Sequence, residues 1–363
     1  MAKTKKIDGA TPLSQIQQYL DKNRDYHYNF EEDHVYNVSS GSLLLDIEMG
    51  GGIRPGVVRA SGVTEGGKTS CGLAFARNFQ KMDNSMVIYV KAEGRLSEDI
   101  IERAGIDTSE DKWFIFKCNV YETVINLMRQ MVKDNPTETR YMFIIDSMDA
   151  LIPKGDLEKG SEEAVKVGGG ALLSSDFLRR MALGLATRGH ICYMISQVRS
   201  TIKINPYEKS DPQVTNASGG NAALHYSDWI LEFQPRYQKD LISTQPNGKG
   251  DMMGHWCKVI FRKTPNEKTG ISVRYPIKYG RTDGKSIWVE YEVVDMMLAW
   301  DMATAKGAWV TISDEIIEEV KKEIDIELKK QHQGIDNFRK YFEENKEIGK
   351  YLFNKFRNVL KKG

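Results

Sequence analysis

Between residues 57 and 233 the chain alternates between two kinds of hydrophobic pattern. Short apolar runs, many of them β-branched, recur at Val57–Ser61, Met86–Lys91, Trp113–Lys117, Tyr141–Asp146, Ile191–Ser196 and Trp229–Phe233. Helical spacing fills most of the gaps, at 67–82, 97–105, 120–133 and 170–188. This β-α-β alternation predicts an α/β fold with a mostly parallel sheet and helices on both faces. Three further apolar runs, 256–262, 271–278 and 286–293, follow without intervening helices and read as antiparallel strands extending the sheet. Leu13, Ile16 and Leu20 give residues 12–22 a helical spacing, and a polar, aromatic stretch follows to about residue 37. From about residue 314 the chain is highly charged, and it ends in a helix-like stretch, Ile348–Leu360. No internal repeat is visible.

Two segments break the pattern. Residues 153–170 and 199–221 are long, polar and rich in Gly, Ser, Asn and Pro. Unstructured loops of such length inside a compact domain are uncommon and usually functional.

Composition narrows the class. With 363 residues, 40% of them hydrophobic and 28% charged, a large globular core with small appendages is expected. The 51 Lys and Arg nearly balance the 50 Asp and Glu, so any basic surface must come from local patterning. Cys71, Cys118, Cys192 and Cys257 are widely spaced with no CxxC, which fits buried reduced thiols rather than a disulfide scaffold or zinc site. No apolar run approaches membrane-span length, and the start, MAKTKKIDGATP, lacks the apolar core of a signal peptide. A cytoplasmic protein with no membrane partner is expected.

The most informative stretch is SGVTEGGKTS. Gly62-Val63-Thr64-Glu65-Gly66-Gly67-Lys68-Thr69 fits G-x-x-x-x-G-K-[ST] and is followed by Ser70. Glycines let several backbone N–H groups converge on one anion, and the helix that follows adds the positive end of its dipole. Lys68 supplies a mobile charge for the β- and γ-phosphates, and the Thr69 hydroxyl is placed to ligate magnesium. The bland alternative is a glycine-rich turn before a helix. The apolar run Tyr141–Asp146 ends in a carboxylate, and in a parallel sheet that end lies on the ligand-binding edge. There Asp146 can hold the magnesium shell. Glu93, just after the strand Met86–Lys91, can orient or deprotonate water, unless it is an ordinary solvated loop carboxylate. Gln197 ends another strand, where a neutral amide can sense a γ-phosphate or simply close the strand.

Taken in order, these motifs resemble the RecA-type recombinases, bacterial RecA and its phage relatives. Ser40-Gly-Ser-Leu-Leu-Leu-Asp46 with Gly50-Gly-Gly-Ile53 resembles the lead into that family's phosphate loop. Ala92-Glu93-Gly94 resembles the segment bearing its catalytic glutamate, and Ile145-Asp-Ser-Met-Asp-Ala-Leu-Ile-Pro-Lys154 its magnesium strand. Ile195-Ser-Gln-Val-Arg199 is similar to the strand with its γ-phosphate sensor, and Ser218-Gly-Gly-Asn-Ala222 to the close of its second DNA loop. Lys306-Gly-Ala-Trp309 and Gln333-Gly334 resemble parts of its small carboxy-terminal domain.

The resemblance implies a RecA-like P-loop NTPase core over residues 38–293, an oligomerisation segment at 1–37 and a small α/β domain at 294–363 for duplex capture. It makes Lys68, Glu93 and Gln197 catalytic, with ATP and magnesium (Mg2+) as cofactors and Thr69 and Asp146 at the metal. It implies DNA loops at 156–170 and 199–221, with Arg179, Arg199, Ser218, Gly219, Gly220 and Asn221 on single-stranded DNA. Such phosphate-directed contacts carry no sequence code, which suits an enzyme that must pair any sequence. Lys263 aligns with the first of two lysines that reach a neighbour's γ-phosphate. The second falls on Pro265, leaving Arg262 or Lys268 to substitute.

The chain departs from the family elsewhere. Ser97 and Ile100 stand where an aspartate and a base-stacking tyrosine are expected, and the acidic tail is absent. From Ile348 onward there are instead five basic residues, Lys350, Lys355, Arg357, Lys361 and Lys362. These form either a solvated amphipathic helix or a duplex-capturing patch. The expected function is an ATP-dependent recombinase that forms filaments on single-stranded DNA and exchanges strands with double-stranded DNA. Loader or single-strand-binding proteins are candidate partners, in the cytoplasm of a bacterial cell or a phage-infected host. A hexameric helicase or translocase of the same core, or an accessory regulator of a recombinase, are the alternatives.

Overall fold

The computed structural model describes residues 11–32, 34–94, 96–157, 169–197, 225–245 and 250–362, with backbone only at 169–172 and 361–362. Arg199, Ser218, Gly219, Gly220 and Asn221, and most of the two expected DNA loops, lie outside the described residues.

The chain opens with helix α1 (Pro12–Lys22), capped by the Thr11 side chain, and α2 (Leu43–Met49), capped by Ser42 and closed by left-handed Gly50. Then come β1 (Gly56–Gly62), α3 (Lys68–Phe79), β2 (Ser85–Lys91), α4 (Glu98–Ala104), β3 (Trp113–Phe116) and α5 (Tyr121–Lys133). They are followed by β4 (Arg140–Asp146), the single turn α6 (Lys154–Leu157), α7 (Gly169–Thr187), β5 (Ile191–Ile195) and β6 (Trp229–Phe233). Among the described residues, β7 (Leu241–Ser243), β8 (Met252–Lys263) and β9 (Ser272–Lys278) complete a nine-stranded sheet.

The strand order is β3-β2-β4-β5-β1-β6-β8-β7, with β9 also paired to β8. From β3 to β6 every pairing is parallel, and β8 pairs antiparallel with β6, β7 and β9. Parallel strands are covered on both faces, so their residues alternate between two cores rather than between core and water. Val58, Ala60, Val87, Tyr89, Met142 and Tyr193 face one cluster with Leu73, Phe75 and Phe79 of α3. Val57, Ile88, Phe143, Ile145 and Met194 face the other with Val124 and Met128 of α5 and Phe177 and Met181 of α7. Each such burial stabilises the fold by about 1.5–3 kcal/mol.

Residues 286–293 are a correction. They were expected to form a strand, but only Ile287 makes an isolated bridge, to Ile277, and helix α8 (Val289–Ala299) starts two residues later. The apolar alternation there also fits a helix once Met296 and Met297 are counted. Tertiary packing decides: Val293, Val294, Met296 and Met297 bury together, and the buried Trp288 donates to Glu343. A three-stranded antiparallel sheet follows, of β10 (Ala303–Lys306), β11 (Trp309–Ile312) and β12 (Gln331–Gln333). Helices α9 (Asp314–Ile324), α10 (Gly334–Glu344) and α11 (Lys346–Lys362) surround it. With α8 and Leu43 of α2 they form a third core. The terminal helix is therefore no free amphipathic segment: Ile348, Leu352 and Phe356 are wholly buried, and Lys355 pairs with Glu319 of α9.

Candidate nucleotide site

All the parallel strands end on one edge, and the glycine-rich turn leaves that edge from the central strand β1. Gly62 has φ +136°, and a Cβ there would stand 2.2 Å from the Phe233 carbonyl oxygen of β6. Gly67 has φ +104°, and its Cβ would meet Cys257 Sγ at 3.1 Å. Only glycine lets the chain follow this path. The turn is tightened by the Gly66 N–H on the Val63 carbonyl, 3.3 Å, and by Arg236 on the Glu65 carbonyl, 3.4 Å. Val63, Thr64, Glu65 and Ser70 are exposed around the cradle.

α3 begins at Lys68, so its unpaired N–H groups and dipole face this turn. The Lys68 ammonium is buried and donates to the carbonyls of Gly62 at 3.0 Å and Val63 at 2.6 Å. Burial pushes its pKa down, while Asp146, Glu93 and Asp149 oppose the shift and favour the charged form. Thr69 Oγ1 donates to Asp146 Oδ2 at 2.9 Å, and the Tyr89 hydroxyl donates to the same oxygen at 2.5 Å. Burial, and then the Asp146 charge, holds the Tyr89 phenol far above its ordinary pKa, so it stays a donor.

Register carries Glu93 to the same place. Lys91 pairs with Asp146, and beyond it the N–H groups of Ala92 and Glu93 both donate to the Asp146 carbonyl, at 3.1 and 3.0 Å. Two donors converge on Glu93 Oε1: the Ser147 hydroxyl, and Gln197 Nε2 at 3.2 Å. Lys68, Thr69, Asp146, Glu93 and Gln197 thus meet at one edge. The arrangement can cradle a polyphosphate, hold a hard divalent cation through a hydroxyl and a carboxylate, and aim a carboxylate at water. Among the described residues no cluster of three or more His, Cys, Asp or Glu is set to bind a metal.

The other expected residues lie apart. Lys263 pairs in register with Ile230, near the start of β6, and so lies at the opposite edge of the sheet from Gly62. Its Nζ donates to the His225 carbonyl at 3.0 Å. Arg262 grips Glu232 through two contacts of 2.7 and 3.1 Å, and Lys268 pairs with Glu48 at 2.8 Å. Arg179 is exposed on α7 beside Asp176. Ser97 stands at the N-cap position of α4 without a side-chain capping bond, and Ile100 packs against the first core. Sequence reasoning missed Tyr89, Ser147 and Asp149 as partners of the site, and Arg236 behind the glycine turn. Only the second carboxylate in Asp146-Ser-Met-Asp149 gave a readable signal.

The family of the RecA N-terminal domain matches residues 8–270. A protein named Protein RecA from Rippkaea orientalis is 27% identical over 333 residues, covering 91% of this chain and 84% of its own. The Protein RecA of Bordetella avium is 28% identical over 356 residues, covering 96% of this chain and 90% of its own. That of Synechocystis is 26% identical over 330 residues, covering 90% and 82%.

Proposed function

The chain belongs to the RecA family, and from that premise we propose that it is an ATP-dependent DNA recombinase. Subunits assemble on single-stranded DNA, hold nucleotide between neighbours, capture duplex and exchange strands. The observation that carries this reading is the meeting of Lys68, Thr69, Asp146, Glu93 and Gln197 at one sheet edge.

Bound ATP with magnesium supplies the labile phosphoanhydride bond and the neutralising charge. Lys68 and the first-turn N–H groups of α3 hold the phosphates; Thr69 and Asp146 hold the cation. Ser147 fixes the Glu93 carboxylate, which orients water and takes its proton. The Gln197 amide, in contact with Glu93, registers the γ-phosphate and passes its presence into the chain that follows. Nucleotide then shifts the population towards the DNA-gripping state. Lys263 suits a contact in trans, because it lies across the sheet from its own chain's phosphate turn. Arg262 and Lys268 already hold carboxylates of their own chain, which argues against either as the second cation in place of Pro265. Residues 1–37 serve assembly, 294–363 duplex capture, and Arg179 with the segments 156–170 and 199–221 the single strand.

The test is DNA-stimulated ATP hydrolysis together with strand exchange. Glu93→Gln should lower turnover by about 10²–10⁴-fold while nucleotide still binds. Lys68→Ala should lose nucleotide affinity as well. A wild-type protein that neither hydrolyses ATP faster on single-stranded DNA nor pairs homologous strands would overturn the reading.

A further inference from the structure

Behind the Glu93–Gln197 pair lies a charged arrangement built around Asp149 and Arg59. β4 and β5 stay in register up to Ile145 and Met194, and then diverge. On its β1 side the outgoing chain is still tied, by the Ser196 N–H to the Ala60 carbonyl at 2.9 Å. On its β4 side the next N–H, that of Gln197, meets a side chain instead: Asp149 Oδ2 accepts it at 2.6 Å. Asp149 stands in the short turn Met148–Ala150, directly after Ser147, the residue that holds Glu93. One short segment therefore grips both members of the pair.

The second arm comes from β1. Arg59 sits three residues before Gly62, is 5% exposed, and points Nε at Ser196 Oγ, 3.0 Å away. A buried guanidinium requires an opposing charge, and Asp149 is the carboxylate that supports it; the same carboxylate acts on Lys68. The strand that leads into the phosphate turn and the turn that follows the cation carboxylate are thus both fastened to residues 196 and 197.

We propose that Asp149 and Arg59 are positioning residues for nucleotide sensing: Asp149 pins the main chain at Gln197, Arg59 braces Ser196 beside it, and together they set where the Gln197 amide stands against Glu93. The inference rests on the function proposed above, because a positioned sensor has meaning only if nucleotide controls the hold on DNA. Removing the brace touches none of the side chains that hold phosphate or cation, although it takes away one of the three carboxylates that favour charged Lys68. It loosens the amide that distinguishes triphosphate from diphosphate.

The measurement is the ratio of single-stranded DNA affinities with a slowly hydrolysed ATP analogue and with ADP, taken with fluorescent-ADP affinity and thermal unfolding. Asp149→Ala should lower that ratio about tenfold or more, the worth of a charge-assisted hydrogen bond, measured at saturating nucleotide so that the charge lost near Lys68 does not enter the ratio. Asp149→Asn keeps a neutral oxygen for the Gln197 N–H and should recover much of the loss, leaving a reduction of about threefold. A merely structural role predicts lost folding stability with the ratio intact. An unchanged ratio in both variants overturns the inference, and if Asp149→Ala does not fold, an unchanged ratio in Asp149→Asn does so alone. A wild-type ratio of one overturns the function and this inference with it.

Discussion

Valine in place of Thr69 keeps the branched shape and removes only the hydroxyl that reaches Asp146. Thr69→Val should therefore leave the fold intact and raise the magnesium concentration needed for half-maximal ATP hydrolysis, by about tenfold for one lost oxygen ligand, read from a magnesium titration. His190 gives a pH signature. It is buried, its Nδ1 accepts the Tyr141 N–H at 3.1 Å, and burial, helped by His34 and Arg188, pushes its pKa down to about 4. The unfolded chain takes up a proton near pH 6.5, so His190 contributes stability above that pH, which is lost as pH falls through 4. The loss is on the order of 3 kcal/mol, measurable by denaturant unfolding and absent in His190→Gln. Lys68, which opens α3, and Glu93, Asp146 and Gln197, at or just past strand ends, were legible because a phosphate motif and strand ends are written in one dimension. Asp149, Arg59 and Tyr89 were not. An arginine within an apolar run or a tyrosine in a strand acquires its meaning only from the neighbour that strand order places beside it.

Elements were legible where periodicity and length agreed. The parallel strands and α4, α5 and α7 fall within one residue of the expected bounds, and α3 ends three residues early. Reasoning failed where a pattern suited two answers, as at 286–293, or where the element was short, as at α2 and β10 to β12. The terminal helix shows what spacing alone leaves open, since Ile348, Leu352 and Phe356 could have faced a partner but form core instead. Phe356→Ala should therefore destabilise the protein by about 3–5 kcal/mol in denaturant unfolding, whereas Lys350→Ala, on the exposed side, should stay within about 0.5 kcal/mol. α8 meets the start of α2 through a buried carboxylate: Glu292 accepts the Ser42 hydroxyl and, at 2.9 Å, the Leu43 N–H. Burial lifts its pKa to about 8. Its proton is held more tightly in the folded state, so stability is greatest below pH 4.5 and declines as pH rises through 8. Comparing Glu292→Gln with wild type across that window should show a flatter profile in the variant.

At the scale of the whole molecule, the prediction is one of shape. Electron microscopy with single-stranded DNA and a slowly hydrolysed ATP analogue should show open helical filaments; closed rings would favour the helicase alternative. Lys263 and the phosphate turn stand on opposite margins of a single sheet. If the first completes the second on a neighbour, two copies facing each other about a two-fold axis cannot satisfy both margins, and growth must run head to tail. Every open chain then carries one terminal catalytic centre that no donor completes. Specific activity should consequently climb with oligonucleotide length, because the incomplete terminus becomes a smaller share of the whole. Adding hydrolysis-deficient Glu93→Gln subunits, which still bind nucleotide and carry Lys263, should partly restore the rate on short strands.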